Sequence, residues 1–329
     1  MPSVRTVLKT LFVLAPAVTV ALPAPAAHRA LKPRIVARQE ASSAASSVIT
    51  SATNGATAAP SAAPPATGGL TDIDILQFAL TAEHLESAFY AQGFAKFPAS
   101  DFQALGLSDA SIASLQNIGQ TEATHVSTLI SAIAAAGTKP VEPCTYNFGF
   151  TDAKAMVATA RVLEAVGVSA YLGAAPLIQS PDVLTAAASI ATVESRHQSF
   201  IRVASGAEPV PAAFDTALGP RAVFTLAAQF ITSCPEGSNL NIAAYPGIAL
   251  QNPEQATVGK NLALADAAQP VGAQFCAFVA PGGVQFVELA GGNCMVPQGL
   301  AGEVYMMITK SKSVADAEVL AGPSVIQPS

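Results

Sequence analysis

The chain has 329 residues, enough for one large domain or two smaller ones, with a formal net charge of −6 and only 12% charged residues. No basic stripe is available to neutralise phosphates, which argues against a nucleic-acid partner. Hydrophobic residues reach 51%; much of that share is alanine, the residue of closely approaching helices rather than of a greasy surface.

Residues 1–26 read as a secretory signal peptide. Arg5 and Lys9 precede the apolar run "LFVLAPAVTVAL", and "APAA" supplies a cleavage site near Ala26. Residues 27–69 are Ala, Ser, Thr and Pro with little large to bury, so a disordered leader is expected there. No later stretch reads as long and apolar enough to span a bilayer. An extracellular or cell-wall location follows, and in an oxidising compartment Cys144, Cys234, Cys276 and Cys294 are expected to form two disulfides. Four cysteines allow three pairings; the preferred one joins Cys276 to Cys294, close in sequence on neighbouring strand candidates, and leaves Cys144 with Cys234.

Four long helical patterns come next, Asp72 to about Phe94, Ser108 to Ala136, Asp152 to Ala175 and Asp182 to Ser205. Ser108, Thr151 and Ser180 are the expected N-caps, Pro181 suits a first turn, and Gly137 and Gly206 suit C-terminal caps. The third and fourth helices are joined by a few residues and must be antiparallel neighbours. The fourteen residues "TKPVEPCTYNFGFT" between the second and third are long enough to run the length of the bundle and return the chain to the same end, although a compact connection fits their length equally well. After Pro209 two short helical pieces are expected, the second starting "GPRAVFTLAAQF". From about Asn239 the texture changes: "AQFCAFVA", "VQFVEL" and "EVYMMITK" read as strands between Gly and Pro turns. The expected organisation is therefore a helical unit over 70–235 and an antiparallel β domain over 236–329. The β domain shows no candidate catalytic residue.

The acids on the bundle carry the chemistry. Apolar stripes at helical spacing run Leu76, Leu80, Glu83, Ser87, Tyr90, Phe94; Leu115, Ile118, Glu122, His125, Leu129; Val157, Ala160, Glu164, Gly167, Tyr171; and Ala187, Ile190, Glu194, His197, Ile201. Each helix thus places one Glu on its core-facing seam, and two add a His one turn later. Buried carboxylates facing one another are costly unless neutralised, and two divalent cations balance four of them. Carboxylate-rich sites with one imidazole per metal suit iron or manganese better than zinc thiolate chemistry. Residues three apart share a helix face, so each Glu-x-x-His reaches one metal pair. Seven residues after Glu83 and Glu164 come Tyr90 and Tyr171, which makes the pattern a pseudo-twofold repeat of helix pairs. These tyrosines are read as core side chains whose hydroxyls bond ligand carboxylates. Glu86 lies about 60° from the seam and is either a substitute for Glu83 or its neighbour in support. His84 and the arginines Arg161 and Arg196 are read as exposed.

Glu83, "EATH", Glu164 and "ESRH" resemble, in order, the ligands of the ferritin-like di-iron carboxylate superfamily over residues 72–205. "DILQFALTAEHLESAFY" and the β-tailed layout resemble fungal secreted ferritin-like proteins of the Rds1 stress-response and late-sexual-development type. The resemblance implies a mainly α fold, a ferritin-like four-helix bundle with a C-terminal antiparallel β domain, and metal binding, without fixing a reaction; with the charge balance above, two divalent metal ions are expected, iron first and manganese second. Glu122 and Glu194 would bridge them, Glu83 and Glu164 would be terminal, and His125 and His197 would bind one metal each. The expected chemistry is Fe(II) oxidation or the handling of oxygen or peroxide in stress or development. The rival expectations are a non-catalytic extracellular protein that meets a wall polymer or protein partner through its β domain, and simple metal sequestration.

Overall fold

Thr71 and Asp74 start the first helix by exchanging hydrogen bonds. The Thr71 hydroxyl accepts from the Asp74 amide at 3.2 Å while the Asp74 carboxylate accepts from the Thr71 amide at 2.8 Å, a capping box. The helix so begun, α1, spans Asp72–Lys96. A short helix, α2 (Ala99–Gln103), absent from the sequence reading, turns the chain towards α3 (Asp109–Ala135), which Ser108 caps as expected. In α4 (Ala153–Ala174) the cap is Asp152 rather than Thr151, its carboxylate accepting from the Ala155 amide at 2.7 Å; a carboxylate is the better partner for a helix N-terminus. Ser180 and Pro181 open α5 (Pro181–Ala204). Gly137 and Gly206 take positive φ, 80° and 77°, just past the ends of α3 and α5, where a side chain would be strained. These helices belong to a computed structural model that describes residues 70–238, 240, 242–251, 256–265 and 270–328. The expected signal peptide and leader lie outside the described residues.

The long crossover is realised. At its start the connection lies beside the beginning of α1: Gln77 Nε2 donates to the Lys139 carbonyl at 2.7 Å, and the Val141 amide donates to Gln77 Oε1 at 2.8 Å. At its end Lys96 Nζ donates to the Phe150 carbonyl, beside the other end of α1. Helices α1 and α3 are therefore antiparallel, the chain recrosses the bundle, and α4 runs parallel to α3. On the way, Cys144 bonds Cys234, and β1 (Thr145–Tyr146) pairs with β2 (Ile231–Ser233).

Only one of the two helical pieces expected after Pro209 forms, α6 (Pro220–Ala228). Pro209 and Pro211 deprive the earlier stretch of amide donors. Its end is instead tied to α4: the Leu218 amide donates to the Ser169 carbonyl at 3.0 Å. Gly173 permits this approach, since a Cβ there would lie 1.8 Å from the Leu218 carbonyl oxygen.

The remaining described strands are β3 (Asn261–Ala263), β4 (Phe275–Ala280), β5 (Gly283–Glu288), β6 (Asn293–Met295), β7 (Val304–Thr309) and β8 (Val319–Ile326). An antiparallel sheet has the order β5-β4-β7-β8, and β3 pairs with β6. Cys276 on β4 bonds Cys294 on β6. Strand β8 contains Pro323, which is compatible with a strand because β8 lies at the sheet edge. The sheet is not merely appended. Ala277, Tyr305, Met307 and Val319 share one core with Phe78, Val166 and Ala170 of the bundle and Val223 of α6. Tyr305 Oη donates to the Ala165 carbonyl at 2.9 Å. Arg161, expected to be exposed, is half-buried and binds Glu303 at 2.5 Å, whereas Arg196 is exposed as expected. Contrary to the sequence reading, one helical run, Ala153–Leu177, is long and apolar enough to cross a membrane by length and composition, but most of its apolar window is buried inside the fold.

Candidate metal centre

Each of the four long helices delivers its seam glutamate to one point. Glu83, Glu122, Glu164 and Glu194 are all fully buried, and His125 and His197 are 7% exposed. Ligand atoms of Glu83, Glu122, His125 and Glu194 lie within 4.8 Å of one another, and so do those of Glu122, Glu164, Glu194 and His197. The two groups share Glu122 and Glu194. The periodicity explains this convergence: a carboxylate in the middle of an apolar stripe goes wherever that stripe is buried.

The imidazoles aim inward through Nδ1. His125 Nδ1 lies 3.2 Å from Glu83, 3.1 Å from Glu122 and 3.2 Å from Glu194. His197 Nδ1 lies 2.8 Å from Glu122 and 3.3 Å from Glu164. Several of these contacts are at ion-pair distance without hydrogen-bond alignment. Glu122 Oε1, Glu164 Oε2, both Glu194 oxygens and His197 Nδ1 are buried without a hydrogen-bond partner. An orphaned buried carboxylate oxygen costs on the order of several kcal/mol, so this concentration at one point marks a place for a cation. The donor set, carboxylate oxygens with one imidazole nitrogen per group, is one that could hold metal ions.

The tyrosines orient the outer carboxylates in a crossed fashion. Tyr171 on α4 donates to Glu83 Oε1 on α1 at 2.5 Å, and Tyr90 on α1 donates to Glu164 Oε1 on α4. This is the pseudo-twofold repeat expressed in space. Glu86 is buried too and stands outside both ligand groups. Room for it comes from Gly167: a Cβ there would lie 2.9 Å from Glu86 Oε1 and 3.1 Å from Glu194 Oε2.

Without a metal, protons must do the neutralising. Burial pushes Glu83 up to about 7, against the hydrogen bond from His125. Burial, reinforced by the neighbouring carboxylates, raises Glu86 and Glu194 well above the usual range, and burial also raises Glu164. Burial acts the same way on Glu122, but His125 and His197 outweigh it and hold that carboxyl at about 2. For the imidazoles, burial favours the neutral ring, yet the carboxylates around them win and push His125 up to about 12 and His197 to about 9. Most of these shifts favour the protonated forms, and a metal binding here would compete with those protons.

These helices now meet known proteins. Residues 71–207 match a family model described as a ferritin-like domain. That segment is a ferritin-like domain. The chain is also 25% identical over 183 residues to Protein rds1 of Schizosaccharomyces pombe (strain 972 / ATCC 24843), a match covering 55% of this chain and 45% of that protein. The chain therefore spans less than half the length of that relative.

All six residues read as ligands lie in the centre of the ferritin-like domain, and Tyr90, Tyr171 and Glu86 adjoin it. His84 departs from its reading: it is buried, and its Nε2 lies 3.1 Å from the Val141 carbonyl of the crossover. A signal for this existed. Ile75, Phe78, Leu85 and Phe89 make α1 hydrophobic well outside its stripe, as befits a helix covered on most sides. The role of Gly167 as the space beside Glu86 and Glu194 has no signature in the sequence beyond a small residue one turn after Glu164.

Proposed function

We propose that the protein is a secreted ferritin-like protein whose buried cluster holds a dinuclear, carboxylate-bridged metal centre, iron first and manganese as the alternative, and that it oxidises Fe(II) or handles oxygen or peroxide. One observation carries the reading: two ligand groups, each with a single imidazole, overlap in Glu122 and Glu194. Shared carboxylates are what a bridged pair requires. Glu83 with His125 and Glu164 with His197 would then serve one metal each. Such a pair, when bound, supplies reversible changes of oxidation state next to a dry, charged pocket.

The chain's own residues do the rest. Tyr171 and Tyr90 hold Glu83 and Glu164 by one oxygen and leave the other free for the centre. The apolar stripes keep the glutamates fully buried, which strengthens every charge interaction among them. Glu86, beside Glu194, is placed to keep a proton close to the centre. The two disulfides support an oxidising compartment, in line with the signal peptide read over residues 1–26.

The test is metal content. Protein from a eukaryotic secretor, loaded separately with Fe(II) and Mn(II) and desalted, is expected to retain close to two ions per chain. Glu122→Ala is expected to retain none. Retention near zero in the parent protein with both metals would remove the reading; retention without turnover of oxygen or peroxide would reduce it to sequestration.

A further inference from the structure

A cavity of about 270 Å³ opens between α1, α3, α4 and α5, at the end of the bundle where α1 begins and α3 ends. It leads inward to His125 and Tyr171. Leu76, Leu129, Val183 and Ile190 are among its walls, and the partly exposed Ala132 and Ala187 lie on facing helices at its outer part. Among the described residues, Thr128 and Ser189 are the only other polar side chains that line it, and no acid, lysine or arginine does.

Protein interiors rarely leave voids larger than a water molecule, and a dry apolar void forfeits the dispersion contacts of its walls. Here the void persists because alanines stand on α3 and α5 where larger residues would have closed the seam. Its size is on the order of twice that of an engineered apolar cavity that takes up benzene, which corresponds to roughly eight to ten chain carbons. A formal charge placed within such walls would be desolvated, and the one imidazole at its inner end, His125, is already matched by Glu83, Glu122 and Glu194.

We propose that this cavity is a binding site for a neutral, largely aliphatic molecule of about eight to ten carbons, an alcohol, aldehyde or olefin by class, with one end held beside His125 and Tyr171. The site gives the centre of the preceding reading an organic ligand and rests on that reading for any chemistry, but binding itself requires only the cavity.

The experiment follows N-phenyl-1-naphthylamine fluorescence with the full chain, metal-free, and its displacement by straight-chain 1-alkanols from hexanol to hexadecanol. The chain has no tryptophan, so no indole emission interferes. Affinity is expected to rise about fourfold per added methylene and to level off near decanol, with sodium decanoate at least tenfold weaker than decanol. Ala187→Phe is expected to weaken decanol at least tenfold, while Ala188→Phe, at an exposed position that does not line the cavity, leaves it unchanged. Should Ala187→Phe fail to fold, Ala132→Met, from the facing helix, carries the same expectation. No probe binding, affinity that climbs with chain length without a limit, equal binding of decanoate, or indifference to both cavity variants would each overturn the proposal. Decanol binding by a chain that retains no metal would sustain this site and remove the metal reading; metal retention without decanol binding would do the reverse.

Discussion

Two clusters of buried acid in this protein solve the same electrostatic problem in opposite ways. Between the bundle and the sheet, Glu303 is 5% exposed and fully matched: Arg202 Nη1 lies 2.7 and 2.5 Å from its two oxygens, Arg161 Nε 2.5 Å from one, and Gln198 Nε2 3.0 Å from the other. In the bundle centre, four seam glutamates and Glu86 have no arginine or lysine within ion-pair reach among the described residues, and five polar atoms there have no hydrogen-bond partner. The chain can neutralise a buried carboxylate with its own cations and does so at Glu303. At the centre it supplies only imidazoles, which can carry protons or give way to a metal. The first arrangement is a fastening, and the second is a receptacle.

That contrast can be broken most forcefully at Glu303. Glu303→Ala leaves Arg202 buried without its counter-charge, and loss of one partner of a buried pair costs about 3–5 kcal/mol. Denaturant unfolding of the metal-free protein should show that loss, while the folded variant still takes up metal like its parent. The mirror-image change, Glu194→Gln, removes a carboxylate from a crowd of like charges. Metal retention should be lost, yet metal-free stability should equal or exceed that of the parent in the same unfolding experiment. A large destabilisation there would mean that the centre, too, is a fastening.

Tyr171→Phe sharpens the contrast more gently. Loss of the hydroxyl that holds Glu83 should weaken metal binding by roughly tenfold, read by competition with a chelator, and should lower metal-free stability by about 1–3 kcal/mol because the buried Glu83 Oε1 loses its donor. Gly167→Ala should act through space instead, pressing a methyl group against Glu86 and Glu194, and should lower metal retention without touching a ligand.

The smallest effect is a dependence on pH. In the metal-free state His197 and His125 have folded pKa values raised to about 9 and 12 from 6.5. Their stabilisation is fully present below 6.5 and fades as pH rises through 9 towards 12. Glu83, raised to about 7 from 4.5, has the same sign: its contribution is present below 4.5 and lost as pH rises through 7. Glu122, held at about 2, has the opposite sign and matters only as pH falls from 4.5 towards 2. Metal competes with the imidazole protons, so its binding tightens as pH rises. The melting temperatures of metal-free and metal-loaded protein should therefore separate between pH 6 and pH 9, and parallel curves would show that these protons are not what metal displaces.

Much of this was written along single helices. The stripe that contains Glu122 and His125, and the one that contains Glu194 and His197, are properties of local periodicity; burial of those residues follows once the stripes face inward, and all are buried. The four long helices, most of their caps, three of the sheet strands and both disulfide pairings were legible for related reasons, because each depends on residues near one another in the chain or, for the last pair of cysteines, on elimination. Other features depend on what a distant segment does. His84 and Glu86 are buried because the crossover and α4 cover α1 on sides that its stripe does not reveal. Strand β8 was missed because its Gly-Pro pair reads as a turn, and only a place at the sheet edge makes that proline harmless.

The sequence by itself determined that each long helix turns a seam glutamate, and two of them a histidine, towards the core, since helical periodicity does so regardless of what lies opposite; it left Glu83 and Glu86 as alternatives on α1. Only the tertiary structure decided that Tyr90 and Tyr171 cross over to each other's glutamate, that Glu303 takes Arg161 and Arg202 from over a hundred residues away, and that an apolar cavity remains beside His125. Those are relations between surfaces that chain order does not encode: hydrogen bonds, ion pairs and voids depend on which helix faces which, and that is settled by packing.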